Sequence, residues 1–289
     1  MKGVILAAGQ GTRMSSITYN GFPKELLPIG NVPTIRFPLE AMKLAGVENI
    51  MIVIAPQSKH GIIDGLQSGM RFGTSICYYV QERLEKGLTG MGLAILAVKS
   101  GVNKEDILVA CGDTIICDFS LKNPLNCLKP LVDIHSSVDA IATILVHPIY
   151  TDPSRFGVVK FKESIDRDGI LYGELEELIE KPDPEIAEKY KMNGCYYTIA
   201  GYYAFKPKIF KYIEQTKPGV NNEVQITDSI SLALENGEKV YAVIHGKILD
   251  NKIIPYSYWD VGVPEDYQCA NKYLFEKEIY KLLVKNSYI

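Results

Sequence analysis

Short apolar runs alternate with helix-spaced patterns through the first half of the chain. Residues 2–7, 50–55, 75–80 and 107–110 are apolar, β-branched segments of strand length. Between them, residues 34–45, 60–69 and 90–100 repeat apolar positions at helical spacing. Strand–helix alternation of this kind predicts a parallel sheet covered on both faces. Ligands of such sheets sit outside the carboxyl ends of the strands.

After about residue 139 the rhythm changes. Residues 140–146, 157–161, 170–180, 198–205 and 240–245 read as strands, with helices over 208–215 and 227–235. Residues 267–284 read as one C-terminal helix. No low-complexity linker and no internal repeat separates the halves. The pattern predicts a single mixed α/β domain over 1–289, with halves at about 1–138 and 139–289.

Composition narrows the class. Of 289 residues 47% are hydrophobic, enough for a sizeable core. The net charge of −3 argues against nucleic acid as main partner, although a local basic pocket for phosphates remains open. No stretch approaches the roughly 18 to 20 apolar residues of a membrane span, and the N-terminal run is too short for a signal peptide. The six cysteines form no C-x-x-C pair or zinc spacing, so reduced thiols in a cytoplasmic protein are expected. The four histidines, His60, His135, His147 and His245, are scattered and receive no chemical role.

The first chemistry-bearing feature is the end of the opening strand. An apolar run enters a loop containing Gly9, Gly11 and Arg13, and Lys24 follows. A strand feeding a glycine loop presents backbone N–H groups to phosphate oxygens. Arg13 can fork onto those oxygens and Lys24 adds a point charge. The loop is not a dinucleotide fingerprint, because Met14 stands at the third glycine position and residues 15–22 read as loop. It lacks the P-loop pattern too. For Gly9 and Gly11 alone, a plain turn after a buried strand is an equal reading. Asp113 closes a second apolar strand, where a carboxylate beside phosphates can anchor magnesium. Position alone favours a turn aspartate, but the Gly112-Asp113 context with the opening loop reverses this.

These segments are specific in combination. Leu6-Ala-Ala-Gly-Gln-Gly-Thr-Arg-Met14, followed by Pro23-Lys-Glu-Leu-Leu-Pro-Ile-Gly30, resembles the signature of the sugar nucleotidyltransferases, the NDP-sugar pyrophosphorylases. The nearest groups are the glucose-1-phosphate thymidylyl- and uridylyltransferases. The resemblance continues in order through Gln81 with Gly90-Met-Gly-Leu-Ala94, Cys111-Gly-Asp113 and Phe156-Gly-Val-Val159. It ends with Glu180-Lys-Pro182, Asn222-Glu-Val-Gln-Ile-Thr-Asp228 and Trp259-Asp-Val-Gly262. It implies a Rossmann-like, mostly parallel mixed sheet flanked by helices, of the nucleotide-diphospho-sugar transferase type. The first half would then bind nucleotide and the second half sugar. Some members carry a β-helix after this core; the residues after Pro264 are too few for one, so none is expected.

The resemblance also implies roles. Arg13 would grip the leaving β- and γ-phosphates, and Lys24 would neutralise charge at the α-phosphate. Asp113 and Asp260 would hold Mg2+. Leu6, Ala8, Gly9, Gly11 and Thr12 would line the nucleotide, with Gln81 and Gly90 on the base. A glutamine amide donates and accepts at once, which suits a pyrimidine edge. Residues 82–89 between them read as a charged, mobile loop. Lys181 would bind the sugar phosphate, Glu180 and Glu223 would take sugar hydroxyls, and Gly157 and Gly201 would let backbone approach the ring. Without the resemblance, Glu180 and Lys181 read as a surface charge pair and Glu223 as a residue ahead of a helix start.

The implied reaction is magnesium-assisted nucleotidyl transfer from UTP or dTTP to a sugar-1-phosphate, most readily glucose-1-phosphate. The implied partners are small molecules and further copies of the chain. Leu6-Ala-Ala-Gly9 departs from the Leu-Ala-Gly-Gly of many thymidylyl enzymes, while Pro23-Lys-Glu25 leans to the uridylyl group and the chain's brevity leans back. A cytidylyl- or guanylyltransferase and a non-catalytic regulatory relative are the alternatives. Joint retention of Arg13, Lys24, Asp113, Lys181 and Asp260 argues against the second.

Overall fold

A computed structural model describes residues 1–285 apart from 20, 57–58, 83–87, 220–221 and 251. In chain order the strands of the first half are β1 (Lys2–Ala7), β2 (Pro28–Ile29), β3 (Val32–Pro33), β4 (Asn49–Ile54), β5 (Ser75–Val80), β6 (Ile107–Cys111) and β7 (Thr114–Cys117). The second half supplies β8 (Ala142–Ile149), β9 (Gly157–Arg167), β10 (Ile170–Glu180), β11 (Tyr196–Phe205) and β12 (Val240–Ile244). Three short strands close the series: β13 (Gly246–Leu249), β14 (Lys252–Pro255) and β15 (Ser257–Asp260). The helices are α1 (Ser15–Thr18), α2 (Arg36–Leu44), α3 (His60–Leu66), α4 (Met91–Leu96), α5 (Lys129–Ser137), α6 (Pro184–Ala187), α7 (Ile209–Gln215), α8 (Ile226–Glu235), α9 (Pro264–Glu276) and α10 (Tyr280–Lys285).

Nine strands form one sheet in the order β5-β4-β1-β6-β11-β8-β12-β10-β9. β10 and β11 run against the rest, so the sheet is mixed and mostly parallel, as expected. Alternating side chains explain the two layers. Val4, Val53 and Val109 face the core that holds Ile95 of α4, Ile213 of α7 and Ile230 of α8. Ile5, Ile52 and Leu108 face Leu39 of α2, Ile62 of α3 and Ile134 of α5. With both faces buried, these strands read as continuous apolar runs.

The order β5-β4-β1-β6 reverses between β1 and β6, the crevice where doubly wound sheets bind ligands. β1 and β6 pair in parallel with Leu6 opposite Cys111, so their following loops are neighbours. Gly112 N–H donates to Leu6 O at 2.9 Å.

Three expectations change. Residues 15–22 are not all loop, since Ser15–Thr18 makes a single helical turn before Tyr19 takes a left-handed conformation. The C-terminal helix is broken: α9 ends at Glu276, Glu278 sits at φ +53, and α10 begins at Tyr280. Both helices pack on β2, β7 and Val261 through Ala270, Leu274 and Leu283, so their apolar spacing continues across the break. β9 runs to Arg167, well past the apolar positions, because its exposed outer part pairs with β10. No helix among the described residues is long and apolar enough to cross a membrane.

Candidate active site

The loop after β1 folds back over Lys24. Gly11, at φ +67, leads a 3-10 turn over Thr12–Met14 that leaves Arg13 exposed toward the crevice. Lys24 opens a second such turn, Lys24–Leu26, held by Pro23. Its ammonium forms an ion pair with Asp113, and the two side chains are only 13% and 14% exposed. Burial alone would lower the Lys24 pKa, but the Asp113 and Glu25 carboxylates outweigh it and raise it. Asp113 is the mirror case: burial would raise its carboxyl, but Lys24 outweighs burial and holds it below the usual value.

Asp260 reaches this point through a strand pair. β15 runs antiparallel to β7 with Asp260 opposite Thr114, and Val261 N–H donates to Asp113 O at 3.0 Å. Two carboxylates far apart in sequence therefore sit on adjacent strand ends. Burial, and then the like charge of Asp113, push the Asp260 carboxyl up, against the pull of Lys24 and Arg13.

The opposite wall begins at β5. Gln81 N–H donates to Ile54 O at 2.9 Å, and its side-chain Nε2 donates to Gly90 O at 3.3 Å. Gly90 holds φ +123, and a Cβ there would stand 2.5 Å from Val224 O. Only glycine fits that approach. Val224 N–H donates to Thr89 O at 2.9 Å and Gly92 N–H to Val224 O at 2.8 Å. The Gln81–Gly90 wall is thus laced to Glu223, whose neighbour is Val224. Of the charged loop expected over 82–89, residues 83–87 lie outside the described residues.

The third wall comes from the second half. Glu180 ends β10, opposite Gly157 at the start of β9, and its Oε2 accepts from Thr227 Oγ1 at 2.8 Å. Glu223 Oε2 accepts from Gln225 Nε2 at 2.6 Å. Gly201 takes φ +75 at an irregularity in β11, which turns that strand past Cys111. Lys181 lies at φ +45, costly for a side chain of its type by about 1 kcal/mol, with its N–H on Phe156 O at 3.0 Å. These walls enclose a cavity of about 580 Å3. All the expected site residues line it except Lys181, whose half-exposed ammonium lies 3.3 Å from Glu180 Oε1.

A model of the nucleotidyl transferase family matches residues 2–277. The chain belongs to that family. Among relatives of this nucleotidyltransferase, a low-salt glycan biosynthesis nucleotidyltransferase of Haloferax volcanii is 30% identical over 97% of the chain and 68% of the relative. A UTP–glucose-1-phosphate uridylyltransferase of Streptococcus pneumoniae is 32% identical over 83% and 82%. A Bacillus anthracis protein read as a glucose-1-phosphate thymidylyltransferase and solved with sucrose superimposes with TM-score 0.72 at 27% identity, covering 94% of both chains.

The nucleotidyltransferase holds site residues that its sequence did not single out. Glu25 and Lys59 form an ion pair at 2.6 Å, with side chains 1% and 3% exposed, and Glu25 lines the cavity. Burial raises the Glu25 carboxyl in spite of Lys59 and Lys24. Its place beside Lys24 in the quoted motif was the available signal. Thr227 and Gln225 orient Glu180 and Glu223, and their signal was the quoted segment Asn222–Asp228. Arg155 and Tyr258 also line the cavity. Tyr258 stacks on His147 with ring centroids 4.9 Å apart, which backs the strand carrying Asp260.

The donor chemistry suits a hard divalent cation. Burial first, and then the like charge of Asp113, raise the Asp260 carboxyl, and a dication between the two largely buried carboxylates would relieve both costs. Among the described residues there is no cluster of three or more His, Cys, Asp or Glu that would hold a metal unaided. Asp113 and Asp260 are the side chains that would hold such a cation, and it would supply neutralisation of phosphate charge at that point.

Proposed function

We propose that this nucleotidyltransferase transfers a uridylyl or thymidylyl group from UTP or dTTP to a sugar-1-phosphate, first of all glucose-1-phosphate. One observation carries the reading: Lys24, Asp113 and Asp260 converge with exposed Arg13 at the carboxyl ends of β1 and β6. The relatives' substrates support the choice of uracil or thymine and of glucose-1-phosphate.

In this reading the halves divide the substrates, nucleotide on the residues up to about 138 and sugar on the rest. The loop over Leu6, Ala8, Gly9, Gly11 and Thr12 cradles the nucleotide, and Gln81 and Gly90 face the base. Glu180 and Glu223, each held by a neighbouring side chain, accept from sugar hydroxyls beside Gly157 and Gly201. A phosphate oxygen of the sugar-1-phosphate attacks the α-phosphorus in line. The bond from that phosphorus to the bridging oxygen breaks, and pyrophosphate leaves. The nucleophile is already anionic, so no general base is required. Catalysis then consists of positioning and charge neutralisation. Lys24 acts at the α-phosphate, Arg13 at the departing phosphates, and Lys181 at the sugar phosphate. Magnesium on Asp113 and Asp260 would supply further neutralisation of the phosphates.

The test is pyrophosphate release with UTP, dTTP, CTP, GTP and ATP against glucose-1-phosphate. Gln81 can donate to a carbonyl and accept from the ring N3–H that uracil and thymine share and cytosine lacks. UTP and dTTP are expected within about two orders of magnitude of each other in kcat/KM, since a single methyl discriminates weakly. Preference for CTP or a purine would overturn the base assignment. Absence of turnover with every nucleotide and several hexose-1-phosphates would favour a regulatory relative.

The two phosphate sites are separable by kinetics. Arg13→Ala is expected to lower kcat by at least about tenfold, because its charge meets charge that develops on the leaving group. Lys181→Ala is expected mainly to raise KM for the sugar phosphate. The swapped pattern would show that the two sites have been exchanged.

A further inference from the structure

We propose that Arg155 is a second cationic ligand for the phosphate of the sugar-1-phosphate, held in reserve by Asp266 until substrate arrives. The inference rests on the transfer activity proposed above. It begins with the charge of the cavity. Among the described residues lining it, the carboxylates are Glu25, Glu82, Asp113, Glu180, Glu223 and Asp260. The cations lining it are Arg13, Lys24 and Arg155. A wall so rich in carboxylates must receive a nucleoside triphosphate and a sugar phosphate, both strongly anionic. Each cation therefore matters.

The three cations are committed differently. Lys24 is largely buried and paired with Asp113. Arg13 lies over the Asp260–Gly262 turn, within reach of a side chain at Gly262. Arg155 alone among them pairs with a carboxylate outside the cavity wall: its Nη2 lies 3.3 Å from Asp266 Oδ2, with both side chains about half exposed at 53% and 42%. Exposed pairs of this kind contribute little to stability, so exchanging Asp266 for a phosphate dianion is inexpensive. A guanidinium can meet a phosphate through two parallel hydrogen bonds, which an ammonium cannot.

Position selects which phosphate. Arg155 directly precedes Phe156 and Gly157, and Gly157 faces Glu180 across the β9–β10 pair. The Phe156 carbonyl accepts the Lys181 N–H at 3.0 Å. Arg155 and Lys181 thus flank one hydrogen-bonded pair of backbones on the sugar side. Among the described residues the Lys181 ammonium pairs with Glu180, and that carboxylate lowers its net attraction for an anion. A second positive charge at this place compensates.

The variants Arg155→Ala, Arg155→Lys and Asp266→Ala separate this role from a structural one. With nucleotide saturating, Arg155→Ala is expected to raise KM for glucose-1-phosphate, or for whichever hexose-1-phosphate the activity panel selects, by about tenfold or more. KM for the nucleotide should move less than about twofold. Arg155→Lys should recover part of the loss. Asp266→Ala should leave the sugar-phosphate KM unchanged or lower it, because it releases Arg155. Equal increases from Arg155→Ala and Asp266→Ala, or no increase from Arg155→Ala, would overturn the proposal. A calorimetric titration of the sugar phosphate into each protein without nucleotide gives an independent readout. Binding weakened by Arg155→Ala supports the site even where turnover is absent, and in that case only the transfer activity fails. Unweakened binding, or none to the unaltered protein, overturns the site.

Discussion

Turnover is expected to fall by on the order of a thousandfold when Asp113 or Asp260 is changed to asparagine, with the fold retained. The carboxamide keeps the shape of the side chain and removes the charge that a hard cation requires. Asp113 is placed by the end of β6 and Asp260 by the β7–β15 pair, so neither backbone position depends on the side chain. Pyrophosphate release measured across a magnesium titration checks the result, with circular dichroism as the control for folding. Near-normal turnover of either variant at limiting magnesium would remove that residue from the proposed metal site. The pH profile carries a second signature. Asp260 is raised by burial and by Asp113, so activity that needs its charge is lost on acidification above the ordinary carboxylate range. In Asp113→Asn the like charge is gone and Lys24 is released toward Asp260, so the residual activity should persist to lower pH.

Lys24→Met should lose both turnover and stability, the latter by about 3 kcal/mol at neutral pH. It leaves a largely buried carboxylate without its cation, the costly way to break such a pair. The sign with pH follows from the directions of the two shifts. Asp113 is depressed in the folded protein, so its contribution is present above the unfolded pKa of about 4 and is lost as pH falls through the folded value. Lys24 is raised, so its contribution is present below the unfolded pKa of about 10.4 and is lost as pH rises through the folded value. Without Lys24, burial raises Asp113 instead, and the variant loses less stability on acidification than the unaltered protein. The gap between them should therefore narrow from pH 7 to pH 4 in urea unfolding. Equal stability at pH 7 would mean that the pair is not formed in solution.

The parts of this molecule legible in its sequence are those with local causes. β1, β4 and β6 are buried on both faces, so each announces itself as an apolar run with no reference to its neighbours. α8 buries one face, through Ile226, Ile230 and Ala233, and shows it in its spacing. β7 and β15 are too short for any period, and they exist because each pairs with the other across much of the chain. For that reason the position of Asp260 beside Asp113 could be taken only from a family resemblance. The break before α10 leaves no trace in the sequence, because the apolar spacing continues through it while Glu278 turns the backbone. The Glu25–Lys59 pair stayed hidden because charged residues are ordinarily exposed. Arg155 lay in no motif, and its interest arises from the acidity of walls assembled from distant segments.

The position of β11 between β6 and β8 has a consequence for how the chain is made. A ribosome finishes β6 at Cys111 and must continue to Phe205 before the strand that covers its free edge is complete. At common elongation rates that interval is roughly 5 to 20 s. Until β11 is available, Ile107-Leu-Val-Ala-Cys111 lacks the partner for one edge and, once outside the ribosome, carries open backbone groups there. Silent codon changes that slow translation between residues 111 and 205 should therefore increase aggregation, although the finished protein is identical.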